Sequence, residues 1–163
     1  MNDDLAQLLD EAKSQKKDNK KLISKLKRQN SKTLDRQFHQ AHEEAFNKID
    51  CLDCANCCKT TSPIFRDKDI TRLASHLSLK PAEFEAKYLM RDTDGLMMLK
   101  SAPCPFLLSD NKCSVYNYRP KACREYPHTD RKDMYQLLDI TYRNTLVCPA
   151  VHFIVKKIRK DLQ

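Results

Sequence analysis

The chain has 163 residues, enough for one domain with an appendage, and a formal net charge of +8. Its single glycine, Gly95, excludes the glycine-rich loops that bind dinucleotides or nucleotide phosphates. Without a basic and apolar leader or an apolar run of membrane-spanning length, the sequence predicts a soluble, cytoplasmic protein.

Residues 1–48 predict a charged, basic helical N-terminal arm that is poorly buried. Residues 13–36 hold ten Lys and Arg against two Asp, a concentration that could bind nucleic acid or an acidic partner. No aromatic side chains alternate with these basic residues for base stacking. A solvated helix face is therefore the simpler interpretation of this segment.

A helix is predicted from Ser31, as N-cap, to about Ile49. His39 and His42 lie three residues apart on it, a spacing that can bind a metal ion. Because no third ligand accompanies them, we interpret both histidines as polar-face residues.

This helix leads into Cys51-Leu-Asp-Cys54-Ala-Asn-Cys57-Cys58, four thiols in eight residues, and four more cysteines follow. C-x₂-C spacing lets thiolates converge on one point, as in zinc and iron–sulfur sites. In a reducing compartment an even number of cysteines indicates metal ligation, whereas an oxidising compartment would favour a disulfide framework.

Several elements are predicted after the cysteine-rich loop. A helix over about Asp67 to Leu77 is capped by Asp67, and Pro81 opens the next helix. The turn Asp92-Thr-Asp-Gly95 precedes a short strand over Leu96–Leu99. A hairpin with arms Pro105–Leu108 and Ser114–Tyr116 would present Cys104 and Cys113 together.

Two prolines place later cysteines near helix starts. Pro120 puts Cys123 in a first helical turn, and Pro149 opens a C-terminal helix directly after Cys148. Unpaired N–H groups at a helix N-terminus favour thiolates, so both cysteines are expected to ionise readily. Two arginines, Arg119 and Arg124, would offset thiolate charge or form surface pairs with residues such as Glu125.

The ordered motifs C-x₂-C-x₂-C-C, C-P-F-L and C-S-V-Y-x₂-R-P-x₂-C-R-x-Y-P resemble the YkgJ or CxxCxxCC family of zinc- or iron-chelating cysteine clusters. The resemblance covers about residues 50–150 and leaves residues 1–48 outside it. It implies metal-ligand roles for seven cysteines, and we add Cys148, beyond the compact motif, as an eighth: Cys51, Cys54, Cys57, Cys58, Cys104, Cys113, Cys123 and Cys148. Related clusters occur in flagellin lysine N-methylase, an enzyme much longer than this chain.

The metal and its role stay open at this point. Three cysteines at two-residue gaps with a remote Cys-Pro favour an iron–sulfur cluster over zinc, because the later spacing does not form a second C-x₂-C pair. No catalytic constellation is visible, so any redox or methyl-transfer chemistry would come from the cluster. The first interpretation is a cytosolic metal-binding protein, and the alternatives are a redox or methyl-transfer-related enzyme or accessory protein and a binding module that uses the basic arm.

The predicted fold class is mainly α with a short β-hairpin, a small α+β fold. A cysteine-cluster domain stabilised by bound metal, residues 49–163, would follow the arm of residues 1–48.

Overall fold

The computed structural model describes residues 3–162 and is 61% helical, with a small three-stranded antiparallel sheet. The predicted fold class is confirmed. Within the described residues, no helix combines the length and apolar character needed to cross a membrane. The helices are α1 (Asp3–Ser14), α2 (Lys16–Leu26), α3 (Ser31–Phe46), α4 (Cys51–Cys54), α5 (Asn56–Thr60), α6 (Asp67–His76), α7 (Pro81–Tyr88), α8 (Lys121–Glu125), α9 (Leu138–Asn144) and α10 (Pro149–Asp161).

The chain divides into two compact units. Unit 1 comprises Met1–Cys54 and Pro127–Gln163, and unit 2 comprises Ala55–Tyr126. The predicted domain boundary between residues 48 and 49 stays a prediction, because the division into compact units does not test which segments fold independently.

Unit 1 is a set of packed helices. Helices α1 and α3 pack against α10, and α2 packs against α9. Their apolar stripes face inward as the 3.6-residue period requires. The expectation that residues 1–48 are poorly buried is wrong, because the short stripes meet the apolar face of α10 and α9. The buried apolar side chains of this segment are Leu5, Leu9, Ala12, Leu22, Ile23, Leu26, Leu34, Phe38, Ala41 and Ala45.

The N-cap of α3 is Asn30 and not Ser31. The Asn30 side-chain oxygen accepts hydrogen bonds from the backbone N–H of Lys32 at 3.0 Å and of Thr33 at 3.4 Å. Ser31 is instead the first residue of the helix. Asn and Ser both cap helices well, so the predicted cap was displaced by one residue.

Unit 2 contains the sheet, whose strands β1 (Ile64–Phe65), β2 (Leu89–Arg91) and β3 (Met97–Leu99) lie in the order β1-β3-β2. The predicted turn before β3 is confirmed. Asp92 accepts hydrogen bonds from the N–H of Asp94 and Leu96, and Gly95 adopts a φ of +78°, a conformation that glycine takes without strain. This turn makes β2 and β3 a hairpin.

The chain reverses at the predicted turn, Ser109–Lys112, where the N–H of Leu108 donates to the Lys112 carbonyl at 2.8 Å, but the arms are shorter than predicted. Leu107 and Cys113 form only an isolated antiparallel bridge. The second arm cannot extend, because Tyr116–Tyr118 curls into a 3₁₀ turn. Cys104 and Cys113 nevertheless both pack against the core of unit 2, formed by Phe65, Ile70, Leu73, Ala74, Phe84, Leu89, Leu99, Phe106 and Val115.

Candidate metal centre

The eight cysteines are present as thiols and fall into both units. Unit 1 holds three of them, Cys51, Cys54 and Cys148. Unit 2 holds the other five, Cys57, Cys58, Cys104, Cys113 and Cys123. The predicted C-x₂-C-x₂-C-C loop is therefore divided between two compact units.

Ala55 marks the division within the loop. It adopts left-handed backbone angles, φ 49° and ψ 15°, immediately after α4 ends at Cys54 and before α5 begins at Asn56. A non-glycine residue in this region is uncommon and ends a helix sharply. Cys51 and Cys54 therefore belong to one helical turn, whereas Cys57 and Cys58 belong to the next.

Cys58 carries a more acidic thiol than Cys104, Cys113 and Cys123. Its hydrogen bond with the Cys57 side chain lowers the pKa of Cys58 to about 7, burial opposes this, and the positive charges of Arg119 and Lys59 assist it. Its backbone carbonyl accepts a 2.8 Å hydrogen bond from the N–H of Cys104. Cys58 thus ionises more easily than Cys104, Cys113 or Cys123.

The thiols of Cys104, Cys113 and Cys123 are harder to ionise. Burial is the main cause that raises the pKa of Cys104 to about 11 and of Cys123 to about 12, and it also raises that of Cys113. Negative charge on Cys58 raises the pKa of all three further. Such repulsion needs proximity, which agrees with the hydrogen bond between the backbones of Cys104 and Cys58.

The expectation that Cys123 and Cys148 ionise readily is therefore wrong for the protein without a bound cation. Cys123 is the third residue of α8, yet burial outweighs any help from that short helix. Burial likewise raises the pKa of Cys148 to about 12, although the N–H groups of Val151 and Ala150 favour its thiolate. A bound cation would supply the missing compensation, since a coordinated thiol loses its proton.

Arg119 supplies positive charge to unit 2's thiols. Its guanidinium carbon lies 3.4 Å from the centroid of the Tyr116 ring, and its Nε–H donates to the Tyr116 carbonyl at 2.8 Å. Its charge lowers the pKa of Cys58, Cys113 and Cys123 against the effect of burial. This fits the charge-offsetting role expected of it.

Arg124 has a different observed contact. Its Nη1 donates to the Arg119 carbonyl at 2.8 Å, and so helps to fix the backbone that carries Arg119. Glu125, the residue suggested as a surface partner of these arginines, forms an ion pair with Lys121 at 3.4 Å.

Asp69 connects α6 to the segment between Cys113 and Cys123, and the sequence analysis missed it. This buried carboxylate accepts hydrogen bonds from the N–H of Arg66 at 3.2 Å and of Lys121 at 3.1 Å, and from Arg72 Nη2 at 2.7 Å. Burial alone would raise the pKa of Asp69, but these bonds outweigh it and lower the pKa. Arg72 also donates to the Arg119 carbonyl at 2.8 Å, so the pair fixes the cysteine-bearing segment.

The two histidines on α3 bond to oxygen atoms of unit 1. His39 Nε2 lies 3.1 Å from the Arg131 carbonyl oxygen, and His42 Nδ1 lies 2.9 Å from Thr129 Oγ1. These contacts agree with the polar-face interpretation of both side chains.

Within residues 3–162, no three Cys, His, Asp or Glu side chains already stand in an arrangement that holds a metal ion. The donor chemistry of unit 2 nevertheless fits one. Its sulfur atoms influence one another electrostatically, and soft thiolates select zinc and iron–sulfur clusters. Binding would draw the sulfurs together and would release protons.

The chain belongs to the CxxCxxCC family, whose model, described as "Putative zinc- or iron-chelating domain", matches residues 50–147. This match confirms the resemblance seen in the motifs and supports metal binding. Its span includes seven of the cysteines and ends one residue before Cys148. No solved structure matches the chain.

Proposed function

We propose that the protein binds a thiophilic metal through an all-thiolate centre in unit 2, with ligands drawn from Cys57, Cys58, Cys104, Cys113 and Cys123. The observations that support this are the 2.8 Å hydrogen bond from the N–H of Cys104 to the Cys58 carbonyl and the packing of Cys104 and Cys113 against one core. The effect of Cys58 on the pKa of Cys104, Cys113 and Cys123 agrees with this grouping. A buried group of thiols that oppose one another's ionisation is stabilised when a cation neutralises them.

The chain's own residues would have distinct roles at this centre. Cys58, with its pKa of about 7, offers a thiolate at neutral pH, while Arg119 offsets the charge that accumulates as further thiols lose protons. Asp69 and Arg72 hold the segment that carries Arg119 and Cys123. When bound, the metal or cluster would stabilise the fold and supply any redox chemistry.

The preference for iron–sulfur came from three cysteines at two-residue gaps, a run now divided between two units. Four thiolates suit both zinc and an iron–sulfur cluster, so the first experiment distinguishes them. Anaerobically purified full-length protein is analysed for visible absorption, iron, zinc and acid-labile sulfide. Iron with sulfide identifies a cluster and stoichiometric zinc identifies a zinc site, whereas protein that binds neither when supplied with them contradicts the proposal.

Substitution tests the ligands. Cys123→Ser should abolish the unit 2 centre, because the pKa of Cys123 responds to Cys58, Cys104 and Cys113, the other thiols proposed as ligands. Asn117→Ser is the matched control, an exposed residue in the same segment. Full retention of metal in both Cys123→Ser and Cys58→Ser would remove these two residues from the ligand set.

A second candidate function is binding of a nucleic-acid phosphate backbone through α2 and the residues after it. Five basic side chains share one exposed face there, and the described residues provide no ion-pair partner for any of them: Lys17, Lys20, Lys21, Lys25 and Arg28. Lysines without interleaved aromatics suit phosphates more than bases.

Salt-dependent binding to duplex DNA and RNA tests this candidate. Charge reversal in Lys20→Glu/Lys21→Glu should weaken binding and reduce its salt dependence, whereas the exposed control Lys68→Glu/Lys80→Glu should do so less. Binding to acidic polypeptide but to neither nucleic acid would replace this candidate, and absence of all three would end it.

A further inference from the structure

Unit 2 carries two exposed aromatic rings that the proposed metal centre does not use. Tyr116 and Tyr118 are the first and last residues of the 3₁₀ turn and are 43% and 39% exposed. Val115, the residue before the turn, is instead buried in the core of unit 2. The turn therefore directs both tyrosines toward solvent rather than into the packed interior.

Each of these rings already stacks on a neighbouring planar group. The His76 ring lies on Tyr118 with centroids 3.8 Å apart and 13° between the ring planes. The Arg119 guanidinium carbon lies 3.4 Å from the centroid of the Tyr116 ring. A ring that is held in this way loses little freedom when a further planar group stacks on its exposed part.

The segment that carries the two tyrosines is positively charged. Residues 112–124 contain two lysines and two arginines and no Asp or Glu. The lysines form ion pairs with residues just outside the segment, Lys112 with Asp110 at 3.3 Å and Lys121 with Glu125 at 3.4 Å. Exposed pairs of this kind contribute little free energy, so a phosphate can compete with the carboxylate for either lysine.

The two arginines of the segment bond to its backbone. Arg119 Nε donates to the Tyr116 carbonyl and Arg124 Nη1 donates to the Arg119 carbonyl, both at 2.8 Å. A carbonyl oxygen does not neutralise a guanidinium group, so positive charge remains beside the rings. Aromatic rings among basic side chains are the combination that binds single-stranded nucleic acids. Residues 13–36 have comparable positive charge but no aromatic residue.

We propose that this surface of unit 2 binds single-stranded nucleic acid, with bases stacked on Tyr116 and Tyr118 and phosphates beside the basic side chains of residues 112–124. Such stacking tolerates any sequence, because every base has a π-face. The surface goes beyond both functions proposed above, since it uses neither thiol ligands nor the lysines of α2. Because Cys113 and Cys123 lie in the same segment, variants are compared at equal metal content.

The first experiment measures binding of a fluorescent single-stranded oligothymidylate, about 12 nucleotides long, to the full-length protein by anisotropy. Tyr118→Ala and Tyr116→Ala should each weaken binding roughly five- to a hundredfold, as expected for the loss of one stacked base. Tyr118→Phe keeps the ring and should bind like wild type. Tyr135→Ala is the matched control, because Tyr135 is a 49% exposed tyrosine of unit 1, and it should also bind like wild type.

A second measurement distinguishes stacking from a structural role of the tyrosine. The chain contains no tryptophan, so a single tryptophan introduced by substitution reports from one position. In Tyr118→Trp the oligothymidylate should quench the tryptophan emission, because a base stacks on the indole. In Tyr135→Trp the emission should stay unchanged, and equal quenching in both variants would contradict stacking at Tyr118.

Three further results would overturn the proposal. They are absence of oligothymidylate binding by wild type, wild-type affinity in both Tyr116→Ala and Tyr118→Ala, and loss of binding only in Lys20→Glu/Lys21→Glu, which would assign the single strand to α2. Thymidine monophosphate that binds as tightly as the oligothymidylate would replace the single strand by a free nucleotide. If wild type binds the oligothymidylate but neither iron nor zinc, the metal centre fails and this surface stands.

Discussion

The two units differ in what holds them together. Unit 1 buries long apolar stripes of α1, α3 and α10, helices of 12, 16 and 13 residues. Unit 2 is built from shorter elements, with strands of two or three residues and helices no longer than the ten residues of α6 among its described elements. Its apolar core is extended by Cys104 and Cys113, so its thiols are part of the packing. From this contrast we expect the proposed metal centre to stabilise unit 2, whereas unit 1 is held together mainly by apolar packing.

Removing the metal should give the largest effect and test this contrast directly. Structural zinc contributes about 10–16 kcal/mol of apparent binding free energy, delivered as folding free energy. After chelation, amide hydrogen exchange should accelerate strongly in α6, α7 and β3 and much less in α3 and α10. Equal acceleration in both units would contradict the difference in metal dependence.

Truncation of one core phenylalanine in each unit compares the two cores. Phe84 and Phe38 are both fully buried, so Phe84→Ala and Phe38→Ala should each lower the free energy of unfolding by about 3–5 kcal/mol. Phe84 stacks at 6.2 Å on Phe106, two residues from Cys104, so its loss should also weaken metal binding by unit 2. Phe38→Ala is the matched control. An equal loss of metal affinity in Phe38→Ala would show that packing of Phe84 near Cys104 has no specific effect on metal binding.

Asp69→Asn should lower the free energy of unfolding by about 1–3 kcal/mol, the usual effect of disrupting hydrogen bonds to a buried group. Because the pKa of Asp69 is lowered in the folded protein, its stabilising contribution is complete above the ordinary carboxyl pKa of about 3.9 and is lost as the pH falls through the lower folded value. Urea unfolding of wild type and variant across acidic pH measures this. The two curves should converge at the lowest pH, and a constant difference would contradict the role of the charge.

The smallest expected effect concerns the start of α3 in unit 1. Asn30→Ala should lower the free energy of unfolding by about 1 kcal/mol, because two backbone N–H groups lose their acceptor. Ser31→Ala is the matched control and should change it by less, and neither variant should affect metal binding by unit 2. Thermal unfolding with metal titration measures both quantities, and a larger effect of Ser31→Ala would restore Ser31 as the cap.

Local signals predicted much of the fold. Pro81 and Pro149 occupy the first positions of α7 and α10, as their fixed φ favours, and Asp92 with Gly95 forms the turn before β3. Strand β1 was missed, because two residues carry too little periodicity to be recognised. The Asp69 interactions were also missed, since Lys121 lies 52 residues away in sequence, although Asp69 and Arg72 at a three-residue spacing were a visible local pair.

The sequence by itself determined that this is a cysteine-cluster protein of mainly helical structure, because thiol spacing and apolar period are local properties of the chain. The tertiary structure alone decided how the cysteines group. A left-handed residue, Ala55, separates α4 from α5, and the two halves of one motif fall in different compact units. Burial also decided the ionisation of Cys123 and Cys148, since desolvation depends on surrounding atoms that no local motif specifies.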